Sequence, residues 1–314
     1  MLIHKIKLAI IVPAYNEESN IEPFISEIVP ILEGINVDWG ILFIDDGSGD
    51  NTLQKIKEIN QKDGRIKAVA LSRNFGKESA ITCGIEQTDS DVVIIMDADL
   101  QHPPSIIYEM IRLWRDGYNM VVPLNQERTG QKSLYKKLAT LFYGIMAKAN
   151  RFEMPIGGSD FRLIDRKCIN AIKELKERNR FMKALYAYPG FRVATTTYQV
   201  RERKFGSSKW NLFKLWNFAL DGILGFSSAP LKIWTYIGLI VAFCSFFYGG
   251  YLICNVLING KELPGWTTLA TLMLFFNGML MISIGILGEY VARIFDEVKD
   301  RPLYFVKERI GCEQ

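Results

Sequence analysis

Two carboxylates, Asp97 and Asp99, stand one residue apart where an apolar run ends, in the stretch VVIIMDADLQHPP at 92–104. Side chains so spaced cannot share a helix face, but at a bend leaving an extended strand both can aim at one hard cation. Gln101 adds a neutral oxygen to the same set. The run 92–96, flanked by acid on both sides, reads as a buried parallel strand. Asp97 and Asp99 then lie at its carboxyl end, which is where open α/β sheets bind ligands. Taken alone, these residues fit equally well a solvated acidic turn ahead of the helix begun by Pro103 and Pro104.

The elements that must position this turn repeat along the first 200 or so residues. Apolar strands are expected at 8–13, 39–44, 66–71 and 92–96, with a fifth at 120–122. Between them, Ser19 and Glu22 form a capping box ahead of Ile21, Phe24, Ile25 and Ile28, which are spaced for one helix face. Asn51 and Gln54 open a second helix carrying Leu53, Ile56 and Ile59, and a third starts near Lys77. This alternation implies an α/β fold, a mostly parallel sheet with helices on both faces. Each strand runs into polar residues: Pro13 to Glu17, then Asp45 to Ser48, then Ser72 to Lys77, then the acidic turn. A single such turn is more often only a turn, and Tyr15 alone is more often packing. Four converging ends make a crevice suited to a base, a ribose and a diphosphate with a divalent metal.

Composition sets the surroundings. The 314 residues carry a net charge of +4, too little to suggest a nucleic-acid partner. The five cysteines have neither disulfide-framework nor zinc spacing and point to a reducing compartment. The amino-terminal apolar run is interrupted by Pro13 and flanked by acid, which suits a strand rather than a cleaved signal. Residues 233–258 and 266–288 contain no charge, and each is long enough to cross a bilayer as a helix. The link 259–265 forces an antiparallel hairpin. Lys232 before it and Arg293, Lys299, Arg301, Lys307 and Arg309 after it place both ends on the cytoplasmic side. Aromatic-rich stretches at 210–226 and 134–149 read as interfacial helices that would set the crevice at headgroup depth. The expected division is a catalytic domain at 1–205, an amphipathic juxtamembrane segment at 206–230, two transmembrane helices within 231–292 and a cytoplasmic basic tail at 293–314.

The segments VPAYNEE (12–18), DDGSGDNT (45–52), SRNFGKESA (72–80) and DADLQHPP (97–104) together resemble the inverting glycosyltransferases of family 2, which have the GT-A fold. Within that family the chain is most similar to polyprenyl-phosphate glycosyltransferases: dolichol-phosphate mannose synthases and, through the carboxyl-terminal hairpin, bactoprenol glucosyltransferases. The resemblance implies that Pro13, Tyr15 and Glu17, with Asp45 or Asp46, hold the base and ribose. It implies that Asp97, Asp99 and Gln101 handle Mg²⁺ or Mn²⁺ and the diphosphate, with Lys77 as a further cation. A metal ion there would stabilise charge on the departing nucleotide. The block GGSDFRL at 157–163 resembles the segment whose aspartate faces the acceptor, so Asp160 either orients or deprotonates it. A lipid monophosphate has a second pKa of about 6 and is largely dianionic at neutral pH, so a base is not obligatory and both roles stay open.

Cations near the membrane must hold an acceptor phosphate. Arg128, Lys137, Arg201, Arg203 and Lys209 are the candidates, and 201–209 resembles the family's R-x-x-G-x-S-K segment. Asn125 and Gln126 depart from the pattern, where another arginine is expected. The expected activity is membrane-anchored, inverting transfer of a hexose from a nucleotide sugar to polyprenyl (undecaprenyl) phosphate, on the cytoplasmic face of the inner, or plasma, membrane. The two-helix tail favours glucose from UDP-glucose, with mannose from GDP-mannose as the alternative. Related enzymes assemble through their membrane parts, so a homo-oligomer is open. A processive synthase would want a QxxRW motif and more membrane helices, and a non-catalytic scaffold would not need Asp97, Asp99 and Gln101 intact.

Overall fold

The computed structural model describes residues 5–125, 158–178, 180–199, 229–259 and 265–312. The chain divides into two units, 1–217 with 301–314 and 218–300. In the first, continuous apolar runs form buried strands because helices cover both sides of the sheet. They are β1 (Lys7–Ala14), β2 (Asp38–Asp45), β3 (Ile66–Leu71) and β4 (Val92–Ile95), separated by α1 (Glu18–Glu33), α2 (Thr52–Lys62) and α3 (Lys77–Glu86). Then come α4 (Ile106–Arg115), β5 (Met120–Asn125), β6 (Arg162–Asp165), α5 (Arg166–Glu174), α6 (Met182–Ala187) and β7 (Val193–Tyr198).

With β8 (Val306–Ile310), these make one sheet in the order β7-β5-β6-β4-β1-β2-β3-β8. Pairing is parallel at β1/β2, β1/β4, β2/β3 and β5/β7, and antiparallel at β6 and β8. Six strands therefore run one way and two the other, as a mostly parallel mixed sheet. One face packs Leu8, Ile10 and Val12 against Ile21, Phe24 and Ile28 of α1 and Ile107 and Met110 of α4. On the other, α3 comes so close that a Cβ on Gly84 would lie 2.4 Å from Ile11 Cγ2.

Two local expectations are corrected, and two strands are present that the sequence pattern did not show. The Ser19/Glu22 capping box does not form, because the first turn of α1 is held from the next loop. The Glu17 and Glu18 N–H groups donate to Thr52 Oγ1 (2.9 Å) and Asp50 Oδ2 (3.3 Å), and no side-chain cap is present. The strands β6 and β7 are short and lack a long apolar run, so the 3.6- and 2-residue patterns did not expose them. The stretch 293–314 is not a separate tail: 293–298 complete a helix, and Val306–Ile310 are β8, paired antiparallel with β3.

Among the described residues, the second unit contains α7 (Ala229–Asn259) and α8 (Trp266–Val298). Within them Ile233–Leu252 and Thr271–Val298, at mean hydropathies of 1.6 and 1.9, are long and apolar enough to cross a membrane. At about 1.5 Å per residue the shorter spans about 30 Å, the thickness of a hydrocarbon core. Large side chains such as Phe246 and Leu274 lie uncovered, so these helices need apolar surroundings. The expected interfacial helices at 134–149 and 210–226 lie outside the described residues.

Candidate active site

The ends of β1, β2 and β3 are stitched together by side chains. Asn16 N–H donates to Ser48 Oγ (2.9 Å), and Gly49 N–H donates back to Asn16 Oδ1 (2.8 Å). Asp46 is buried and spends both carboxylate oxygens on the next strand's loop, accepting from Phe75 N–H at 2.7 Å and Gly76 N–H at 2.9 Å. Gly47 is required beneath that loop: its φ is +69°, and a Cβ would sit 2.4 Å from the Arg73 carbonyl carbon. Asp45 is also buried and accepts from Ser48 N–H at 3.3 Å. Burial pushes both carboxyls above their ordinary range, against the hydrogen bonds that pull them down. Beside them Tyr15 is 43% exposed, a ring free to meet a planar ligand, while Glu17 accepts a hydrogen bond from the Asn20 amide.

Lys77, the first residue of α3, joins the acidic turn to the glycine-flanked acid. Its Nζ lies 2.6 Å from Asp97 Oδ1 and 3.2 Å from Asp160 Oδ2. Desolvation works against the ammonium, but the two carboxylates outweigh it and hold Lys77 charged. Burial would likewise raise the Asp160 carboxyl, yet Lys77, Arg162 and Lys183 prevail and hold it below the usual range. The other oxygen, Asp160 Oδ1, is buried without a partner among the described residues. Asp99, 8% exposed, accepts from Gln101 N–H at 3.2 Å, and Leu100 between them takes a φ of +56° to make the bend.

Several residues that the motif reading did not assign complete the site. His102 is buried, with Nε2 3.3 Å from Ser159 Oγ and its ring 4.6 Å from that of Phe161, so it ties the acidic turn to the Asp160 segment. Burial pulls its imidazole pKa down. Arg162 donates to the Ser159 carbonyl at 2.7 Å and lies 3.8 Å over the Tyr186 ring. Glu78, next to Lys77, accepts from Met182 N–H at 3.3 Å; burial, then the charge of Asp160, push its carboxyl up to about 8. Two neighbouring carboxyls are thus driven apart, Asp160 ionised and Glu78 protonated at neutral pH. The hydrophobic spacing of α3 and of 158–165 carried no sign of this pairing, because its members are 82 positions apart in sequence.

The glycosyl transferase family 2 model matches residues 9–172, which contain the carboxyl ends of β1 to β6 and the Asp160 segment. The chain belongs to glycosyl transferase family 2. The GtrB C-terminal hairpin model matches residues 229–294, covering α7 and most of α8. An uncharacterized glycosyltransferase of Synechocystis sp. is 42% identical over 98% of this chain and 97% of its own. The SfII prophage-derived bactoprenol glucosyl transferase of Shigella flexneri is 39% identical over 96% of this chain and 98% of its own. Among solved structures, the mannosyltransferase PcManGT from Pyrobaculum calidifontis, in complex with GDP-Man and Mn²⁺, aligns over 95% of this chain and 89% of its own. Its TM-score is 0.48 at 15% identity, a depth that says nothing of this chain's ligands.

In this glycosyltransferase the residues singled out from sequence fall into two groups. Pro13, Tyr15, Glu17, Asp45 and Asp46 gather at the ends of β1 and β2, and Lys77, Asp97 and Asp160 meet at one ammonium. Arg128, Lys137, Arg201, Arg203 and Lys209 lie outside the described residues. Among the described residues no three His, Cys, Asp or Glu side chains are grouped to hold a metal ion. The donor set nonetheless fits a hard divalent ion of the kind that takes one or two carboxylates and completes its shell with substrate phosphates. Asp97 supplies a half-open carboxylate at the bend that Asp99 and Gln101 share, and the unpartnered Asp160 Oδ1 beside it shows that the cluster keeps acceptor capacity that Lys77 alone does not fill.

Proposed function

We propose that this family 2 glycosyltransferase moves glucose from UDP-glucose to a polyprenyl phosphate, with inversion, at the cytoplasmic face of a membrane that α7 and α8 cross. The observation that carries the reading is the shared ammonium of Lys77, which brings the donor-side Asp97 and the acceptor-side Asp160 into one charge cluster. Whole-length similarity to proteins named bactoprenol glucosyl transferase supports glucose and the lipid acceptor.

A phosphate oxygen of the lipid attacks the anomeric carbon as the bond from that carbon to the diphosphate oxygen breaks on the opposite side. A divalent ion held by Asp97 and Asp99 would supply positive charge to the diphosphate as it departs. Lys77 contributes the protein's own fixed positive charge at the same place. Asp160, held ionised by three cations, is a weak proton acceptor, and a dianionic lipid phosphate has no proton to give up. Its role is therefore to orient, and His102 and Arg162 fix its segment through Ser159. Tyr15 stacks on the base, and Asp45 lies at the base and ribose end.

The test is to incubate detergent-purified protein with polyprenyl phosphate, Mn²⁺ and a panel of radiolabelled sugar nucleotides, and to count label entering the organic phase. UDP-glucose should label the lipid; label from GDP-mannose alone would reassign the donor, and none from any nucleotide sugar would refute the reading. Asp99→Asn should abolish transfer while keeping an acceptor for Gln101 N–H, and an active variant would remove Asp99 from the site.

A further inference from the structure

The two helices of the hairpin are followed, within a few residues, by a strand that returns to the catalytic sheet. The ladder between β3 and β8 is irregular between Ala70 and Leu71, where the chain of β3 passes into the 72–77 loop. At that step the Ser72 N–H donates to the Phe305 carbonyl at 2.8 Å. The Phe305 ring packs against Phe75 with centroids 6.3 Å apart, and Arg73 lies over the Phe75 ring at 4.3 Å. Phe75 and Gly76 then present their amides to Asp46, and the next residue is Lys77. Tyr304, the neighbour of Phe305, hydrogen-bonds Glu86, the last residue of α3. Residues 304 and 305 therefore hold the last residue of the helix that carries Lys77 and the loop that leads into it. Farther along the strand, Lys57 and Glu308 pair at 2.8 Å.

We propose that Phe305 is a positioning residue for the donor site: through its carbonyl and ring it sets the 72–77 loop, and with it the Asp46 contacts and the reach of Lys77. The consequence is that the segment emerging from the membrane hairpin is part of the sugar-nucleotide site, and that removing the tail harms donor use independently of membrane attachment. This deepens the proposed function and rests on it for the identity of the donor. Phe305 touches no reacting group, and at 56% exposed it adds little to the core, so its variants are expected to fold.

The test uses the full chain in detergent, with Phe305→Ala, Phe305→Leu, Phe305→Tyr and, as a control on the far side of the strand, Lys57→Met. Two readouts are taken: KM and kcat for UDP-glucose and for polyprenyl phosphate, and hydrogen exchange of the 72–77 amides. Loss of one aromatic contact should raise the donor KM by about two- to tenfold. The acceptor KM should stay unchanged, and exchange at Phe75 and Gly76 should quicken by a similar factor. Phe305→Tyr should restore both, Phe305→Leu should restore them in part, and Lys57→Met should match the unsubstituted protein. Unchanged exchange in Phe305→Ala, or an equal effect on donor and acceptor, would overturn the proposal. If the unsubstituted chain transfers no sugar, the functional reading fails, while the exchange measurement still decides whether Phe305 sets the loop.

Discussion

Replacing Lys77 with Met tests the centre of the site, because it removes the charge and keeps most of the side chain's length. At an effective dielectric of about 20, unit charges about 3 Å apart attract by roughly 5 kcal/mol before any cost is counted. The Lys77 side chain is 42% exposed, however, and Asp97 is 29% exposed. Pairs open to that degree contribute about 0.2–1 kcal/mol each once solvation and chain entropy are included. Two such pairs put the loss of stability at roughly 0.4–2 kcal/mol, a fall in Tm of at most a few degrees for a unit of this size. The effect on transfer should be far larger, since losing one fixed donor to developing charge costs about 10²–10³ in kcat. Asp160 would also lose its nearest cation, so its pKa rises and the acid limb of the pH–rate profile moves to higher pH. The assay is labelled-lipid formation across pH 4 to 9, alongside a thermal melt. A variant that transfers sugar within about threefold of the unsubstituted rate, with its acid limb unmoved, would refute the assignment of Lys77 and the charge linkage together.

Two further outcomes are expected. Glu78 stays protonated in the folded state to about 8 against an ordinary 4.5, so between those values the unfolded chain binds fewer protons and stability falls as pH rises. Glu78→Gln keeps an acceptor for Met182 N–H and removes that slope, so the variant gains stability over the unsubstituted protein as pH rises toward 8; a stability difference that does not change with pH across the range would contradict it. Phe243→Asp puts a carboxylate near the middle of the Ile233–Leu252 span. That should cost about 2.5–3.5 kcal/mol of insertion, so fewer chains should carry the 259–265 link across the membrane. The readout is greater cleavage of that link by protease added from the side of the catalytic domain, and cleavage equal to the unsubstituted protein would argue against a span there.

The sequence disclosed the strand ends that gather the candidate residues better than it disclosed the fold's edges. Strands β1 to β4 are continuous apolar runs, and runs buried on both faces are visible without any partner; their ends, Tyr15, Asp45, Asp46, Lys77 and Asp97, followed directly. The bond between Lys77 and Asp160 did not follow, because an ammonium on the first turn of a helix looks the same in solvent or in a cluster. Glu78 and Arg162 were invisible for the same reason: their chemistry comes from residues distant in sequence. The resemblance left open whether Asp45 or Asp46 meets the base and ribose, and the two oxygens of Asp46 are spent on the loop that precedes Lys77.

The strand β8 shows why a charge count misled at the end of the chain. In VKERI, Val306, Glu308 and Ile310 are half-buried while Lys307 and Arg309 are exposed, the period-two pattern of a strand with one face covered. Five residues with three charges do not read as a strand by hydrophobicity, but they suit an edge position. Without β8, β3 would offer a row of unpaired backbone groups, and an open edge of that kind recruits other chains. With β8 in place the outermost strand carries two outward cations, which discourage further pairing, and Glu308 is matched to Lys57 inside the molecule. The basic residues that the positive-inside bias counts as a topological signal are, at 307 and 309, also the protection of a sheet edge. It follows that neutralising Lys307 and Arg309 together should promote self-association of the protein through β8 as well as altering its charge toward the membrane.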